Sequence, residues 1–147
     1  MTARLIDGKA IALKLREDIK ARVEALKAAG KRVPGLAVVI VGEDPASQIY
    51  VRNKHQATEA AGMLSIMKVM PATATQDEVL AVVRELNADP KVDGILVQLP
   101  VPKQIDSKAV IDAIAVEKDV DGFNPENLGL LAQRTPRLRP CTPYGCM

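Results

Sequence analysis

Apolar and polar positions along the chain fall into blocks with two different periods. From Asp7 to Gly30, the residues Ile11, Leu15, Ile19, Val23 and Leu26 recur at helical spacing, with an aspartate able to cap the start and a glycine able to end the run. "GLAVVIVG" (35–42) is short, continuous and β-branched, the pattern of a strand buried on both faces. Asp44-Pro45 pairs a cap with a proline at the first helical position and predicts a helix reaching Gly62. "LSIMKVM" (64–70) predicts a second buried strand. Thr75 and Glu78 frame a capping box that opens a helix through Val79, Val83 and Leu86 to about Asn87. "DGILVQLP" (93–100) predicts a third buried strand that stops at Pro100. A shorter helix is expected over 106–114, and the remainder reads as mostly loop with one short helix near 125–133.

Helix and strand in strict alternation predict an α/β fold, a three-layer parallel-sheet domain with helices on both faces. Ligands of such sheets sit at the carboxyl ends of the strands. Here those ends are Gly42 onward, Met70-Pro71 and Gln98-Leu99-Pro100.

Composition narrows the function classes. The 147 residues are one domain's worth, and 48% hydrophobic with 26% charged residues is a globular balance. The net charge of +2 is dispersed, without the basic block or basic–aromatic interleaving that nucleic acid calls for. The longest apolar run, 36–41, is far too short to span a bilayer, and "MTARLIDGK" lacks the apolar core of a leader, so a cytoplasmic location is expected. Cys141, Cys146 and the single histidine, His55, are too few for a zinc site or a disulfide framework, and the cysteines read as reduced, structural thiols. No metal is expected. Among nine glycines no two are separated by a single residue, which leaves neither a G-x-G-x-x-G fingerprint nor a P-loop.

Four residues remain as candidates for chemistry. Tyr50 and Lys54, in "YVRNK", lie one turn apart on one helix face, in a chain with only two tyrosines. The plain reading is an amphipathic pair at the rim. Against it stand Ala46, Ala57, Ala60 and Ala61, which make the helix thin enough for a flat ligand or another element to come close. Lys54 lies roughly 13 Å from the helix start, too far to serve an anion site there. Gln98 ends the third strand, where its amide can donate and accept. Asp119 and Asp121 flank Val120. A D-x-D pair can hold a metal, yet further ligands at regular spacing are missing, and a turn at Asp121-Gly122 is the plain alternative. A carboxylate beside Phe123 can also accept two hydrogen bonds from a guanidine-like edge. His55 points about 100° around the helix from Lys54 and reads as a partly exposed surface residue.

The segments "SQIYVRNK", "DGILVQLPVP", "EKDVDGFNPENLG" and "PCTPYG" together resemble the bifunctional methylenetetrahydrofolate dehydrogenase/methenyltetrahydrofolate cyclohydrolase (FolD) family, in order from about Leu5 to Gly145. The resemblance implies an N-terminal folate-binding catalytic domain over 1–135 and a connector over 136–147. It implies that Lys54 is the catalytic lysine, assisted by Gln98. Tyr50 then stacks on the aminobenzoate ring, and Asp121 grips the amino-pyrimidine edge of the pterin. Leu99 and Pro100 join Tyr50, Lys54, Gln98 and Asp121 as substrate-binding positions.

The implied reactions are NADP-dependent oxidation of 5,10-methylenetetrahydrofolate to the methenyl form and its hydrolysis to 10-formyltetrahydrofolate. Two departures from the family pattern stand out. Gln56 replaces a common second lysine, off the Tyr50/Lys54 face. The family's Rossmann domain, which binds NADP, and its returning C-terminal helix are not encoded in this chain. The expected partner is a folate, with neither nucleic acid nor membrane, and the family homodimer would lack much of its interface here. Two other readings stay open: the substrate domain of a different two-domain dehydrogenase, and a folate-binding fragment without activity.

Overall fold

The computed structural model describes residues 6–147. Residues 1–5, part of the stretch read above as lacking a leader's apolar core, lie outside the described residues. In chain order the elements are α1 (Gly8–Ala28), β1 (Gly35–Val41), α2 (Pro45–Ala60), β2 (Leu64–Met70), α3 (Gln76–Ala88), β3 (Gly94–Val97), α4 (Ser107–Asp112), α5 (Pro125–Ala132) and α6 (Cys141–Cys146), with a 3₁₀ turn at Val116–Lys118. The strands form one parallel sheet in the order β2-β1-β3. Gly35 pairs with Leu64 and Val41 with Met70, while Leu36 pairs with Gly94 and Val39 with Val97.

The helix starts follow from their sequences. Asp7 accepts from the Ala10 N–H at 3.0 Å, Asp44 from the Ser47 N–H at 2.8 Å, and Thr75 and Glu78 cap each other reciprocally. β1 splits the core in two. Ala37, Val39 and Val41 face Val79, Val83 and Leu86 of α3, with Val110 of α4 in the same cluster. Val38 and Ile40 face the other way, onto Val51 of α2. Helices therefore cover both faces, and the three-layer architecture is as the alternating pattern predicts.

Four expectations need correction. β2 is not buried: Met67 and Val69 are exposed, because β2 is an edge strand and the helices cover it only in part. β3 ends at Val97, three residues before Pro100, although the Gln98 N–H still bonds to the Val39 carbonyl. The chain after 133, read as loop, contains a further short helix, α6, which begins after Pro140. Cys141 and Cys146 are free, as reduced thiols would be, but both are exposed and so do not serve as structural thiols.

α1 carries its apolar stripe largely in the open. Val23 is buried and Ile19 and Leu26 are half-buried, whereas Ile11 and Leu15 are 60% and 59% exposed. The contrast with α3, whose Val79, Val83 and Leu86 are all buried, defines a stability test. Leu86→Ala should cost about 2–5 kcal/mol in urea unfolding, while Leu15→Ala should stay within about 0.5 kcal/mol. Equal losses would mean that α1 packs as tightly as α3.

Candidate active site

The site is built where α2, the end of β3 and the loop after the 3₁₀ turn meet. α2 enters on the Asp44 cap with Pro45 in its first turn, and that start fixes which residues face the end of β3. Lys54 lies on that face, half-buried, and its Nζ donates to Gln98 Oε1 at 2.9 Å. The Gln98 amide nitrogen donates to the Leu99 carbonyl at 2.9 Å. Both ends of the amide are thereby used, and its oxygen is held toward the lysine. Tyr50 sits one turn before Lys54 and is 62% exposed, a ring presented to solvent at the mouth of the site. Leu99 and Pro100, joined by a cis peptide bond, follow at the strand end and are exposed.

Asp121 comes from the third side. It is half-buried, and among the described residues its carboxylate accepts no hydrogen bond. Burial pushes its pKa above the ordinary carboxylate range, the nearby Lys54 charge pulls it down, and the Asp119 carboxylate pushes it up. A cleft closed down to about 10 Å³ lies between β3 and the two aspartates, with Leu99 and Phe123 among its walls. Lys54, Gln98 and Asp121 are thus brought to one corner, and Tyr50 stands at its outer edge.

The D-x-D pair is two residues with different surroundings. Asp119, 1% exposed, accepts from the Gly122 N–H at 3.1 Å, the Asn124 N–H at 2.8 Å and Asn127 Nδ2 at 3.0 Å. Those bonds occupy its oxygens with N–H donors. Among the described residues no group of three or more His, Cys, Asp or Glu side chains could hold a metal. Gly122 has φ +67°, a left-handed turn that a side chain would strain. Gly94 has no room for a side chain, since a Cβ would come within 2.5 Å of Val120 Cγ1.

The sequence reading weighed Asp119 only as half of a D-x-D pair and passed over Asn124 and Asn127. Their signal was available: an aspartate with a glycine at +3 and asparagines at +5 and +8 is the spacing of a side chain folding its own loop. The alanine stripe on α2 also has a second use. Ala57, Ala60 and Ala61 border a groove shared with Arg16, Glu17 and Lys20 of α1, so that end of the stripe faces another helix. His55 bonds to Ser65 Oγ at 2.8 Å through Nδ1, and with Arg52 it lines an apolar groove of about 300 Å³ on the other flank of α2, away from Lys54.

A half-buried amine tied to an amide, with an unpaired carboxylate beside them at the carboxyl edge of a parallel sheet, is the equipment of an α/β catalytic domain that handles protons. The chain belongs to the tetrahydrofolate dehydrogenase/cyclohydrolase family: residues 6–121 match that family's catalytic domain. It is 56% identical over all 147 residues to "Bifunctional protein FolD" of Moorella thermoacetica, covering 52% of that protein. The crystal structure of the bifunctional FolD enzyme from Campylobacter jejuni superposes with a TM-score of 0.92 at 43% identity, over 96% of this chain and 50% of that one. The Trypanosoma brucei enzyme, a structure described as complexed with NADP cofactor and inhibitor, gives 0.91 at 37% identity, over 97% and 49%. The chain therefore spans about half the length of the relatives it matches.

The surroundings of Asp121 carry a pH prediction. Its folded carboxyl holds a proton more tightly than the unfolded one, so its contribution to stability is present below the ordinary carboxylate range and lost as pH rises through the elevated folded pKa. Ionised Asp121 then opposes folding at neutral pH. Asp121→Asn should raise Tm at neutral pH, and the gain should shrink as the pH falls through the carboxylate range. A lower Tm for the variant at neutral pH would show that the carboxylate is a stabilising group instead.

Proposed function

We propose that this chain is the folate-binding catalytic domain, over 1–135, of a bifunctional methylenetetrahydrofolate dehydrogenase/methenyltetrahydrofolate cyclohydrolase, with 136–147 as a connector. The observation that carries the proposal is the 2.9 Å bond from Lys54 Nζ to Gln98 Oε1 beside the unpaired Asp121 carboxylate, in a chain of this family. A pterin presents a flat ring with an amino-pyrimidine edge, and a half-buried carboxylate with free oxygens suits that edge. Tyr50 offers a ring face to the aminobenzoate. A small anionic substrate would instead call for cations at the strand ends, and the free group there is an acid. Leu99 walls the cleft beside Asp121, and Pro100 follows it at the strand end.

Hydrolysis of the methenyl form adds water to the amidinium carbon, releases one proton and breaks one of two C–N bonds. Lys54 is the group placed to move those protons, and Gln98 aims its amine. Oxidation of the methylene form requires a hydride acceptor against the same carbon, and NADP supplies that chemistry when bound. The described residues do not fit NADP. The β1–α2 turn, where a pyrophosphate would meet a helix N-terminus, carries Glu43 and Asp44, and Asp44 already accepts the Ser47 N–H. The residues here therefore serve the folate side of both reactions, in the cytoplasm, without nucleic acid or membrane as partner.

Lys54→Met keeps the apolar stem and removes the amine. In a full-length protein it should lower cyclohydrolase turnover by about two to four orders of magnitude, followed as the decay of methenyl absorbance, with much smaller change in folate binding. Tyr50→Ala should chiefly weaken binding, read by titration. Hydrolysis by Lys54→Met at the parent's rate would reduce the lysine to a neighbour of the ring and favour the inactive folate-binding reading. The family homodimer would draw much of its contact from outside these residues, so this chain should elute as a weakly associating species on sizing; a stable dimer would contradict that.

A further inference from the structure

We propose that Asp119 is a positioning residue: its buried carboxylate holds the 119–124 loop in the one conformation that presents Asp121 to the ring edge of the substrate. The inference rests on the folate reading above and extends it to a residue whose carboxylate oxygens are taken up by its own loop. Asp119 is fully buried, unlike Asp121, and its two oxygens bind three donors from the six residues that follow Asp121. Oδ1 takes the Gly122 N–H, and Oδ2 takes both the Asn124 N–H and Asn127 Nδ2. The loop is therefore wound around one side chain, and Asp121 sits on the outside of the winding, next to Gly122.

The winding is itself anchored on both sides. Before it, Lys118 Nζ donates to the carbonyls of Leu86, Asn87 and Asp89 at the end of α3, at 3.3, 2.7 and 3.0 Å. After it, Asn127 Nδ2 also donates to the Val116 carbonyl at 2.9 Å, closing the loop onto the 3₁₀ turn that precedes it. Underneath, Asp119 bridges Ile95 of β3, and Val120 packs over the bare Cα of Gly94. The loop thus has fixed points on α3, β3 and α5, and Asp121 is the one polar side chain between them left without a partner.

Two features indicate orientation more than stability. Asn127 is fully buried, yet its Oδ1 has no hydrogen-bond partner among the described residues. Leaving a buried acceptor unpaired is costly, and an apolar residue of the same shape would avoid it. Asn127 is kept in a state that favours the Asp119 bond. The loop also holds Asp121 half-buried and raises its pKa, against the interest of folding. A loop free to relax would turn that carboxylate out to water.

Asp119→Asn is nearly isosteric and tests this. One oxygen becomes an NH₂ group facing N–H donors, so at least one of the three bonds is lost whichever way the amide turns. The probes are folinate and its 2-desamino analogue, which lacks the amino group offered to Asp121, titrated calorimetrically against the 147-residue chain. The parent should prefer folinate by about tenfold or more, the scale of a hydrogen bond to a charged group, and Asp119→Asn should reduce the preference to about twofold or less. Val83→Ala, a core change on α3, should lower Tm while keeping the full preference. Amide exchange at Gly122 and Asn124 should speed up in Asp119→Asn. If that variant does not fold, Asn127→Ala removes one donor to Oδ2, and a partial loss of preference is expected. A retained tenfold preference in the Asp119 or Asn127 variant, or unchanged protection of the two amides, overturns the positioning role. A parent that binds neither probe, or both equally, overturns the folate reading instead, and with it the role of the loop toward that ligand.

Discussion

β1 is the element on which everything else is registered. It pairs with a strand on each edge and is packed by helices on each face, so no backbone group or side chain along Gly35–Val41 meets much water. A strand in that position tolerates only apolar side chains, and "GLAVVIV" complies from end to end. The cost of burying an unpaired polar group confines chemistry to the strand ends. In a parallel sheet the carboxyl ends all lie on one edge, and there the turn after β1, the amide of Gln98 and the loop carrying Asp121 come together.

Three kinds of support hold that corner, and they differ in rigidity. Lys54 rides on a capped helix whose Val51 is packed against the sheet, so its stem has a firm base while its amine relies on one hydrogen bond. Gln98 follows a strand and is locked at both ends of its amide. Asp121 sits on a loop, ordinarily the least exact support, and the loop is stiffened by a buried carboxylate, two asparagines and a lysine clamp on α3. Geometry at a reacting centre is tolerated within only fractions of an ångström, so a loop residue in such a corner needs supporting groups of this kind.

Elsewhere the packing is less complete. Ile11, Leu13 and Leu15 on α1 and Met67 and Val69 on β2 are exposed together with the apolar groove beside α2. α3 shows what a fully engaged helix looks like in the same fold, with its apolar stripe buried and its C-terminal carbonyls bound by Lys118. α3 also carries the sharper apolar stripe in the sequence, so pattern and partners both favour its burial over that of α1.

Local rules made much of this legible in advance. Helix starts at Asp7, Asp44 and Thr75 were readable because a cap and its N–H donors lie within three residues of each other, and the doubly buried β1 was readable because its composition admits no other face. Tyr50 and Lys54 could be paired because one turn of helix suffices to align them. What the sequence could not decide were the matters set by distant neighbours. "LSIMKVM" is as apolar as a core strand, and only its edge position in the sheet leaves it exposed. The two aspartates of "DVD" are the same residue type two positions apart, and only the folded loop makes one a buried hub with three donors and the other an unpaired acid. Lys54 and Gln98 are separated by 44 positions, and their bond exists because α2 packs across β1 while β3 pairs with β1's other edge. Hydrogen-bond partners and solvent exposure are properties of which surfaces meet, and in a parallel sheet those surfaces come from segments that the chain keeps far apart.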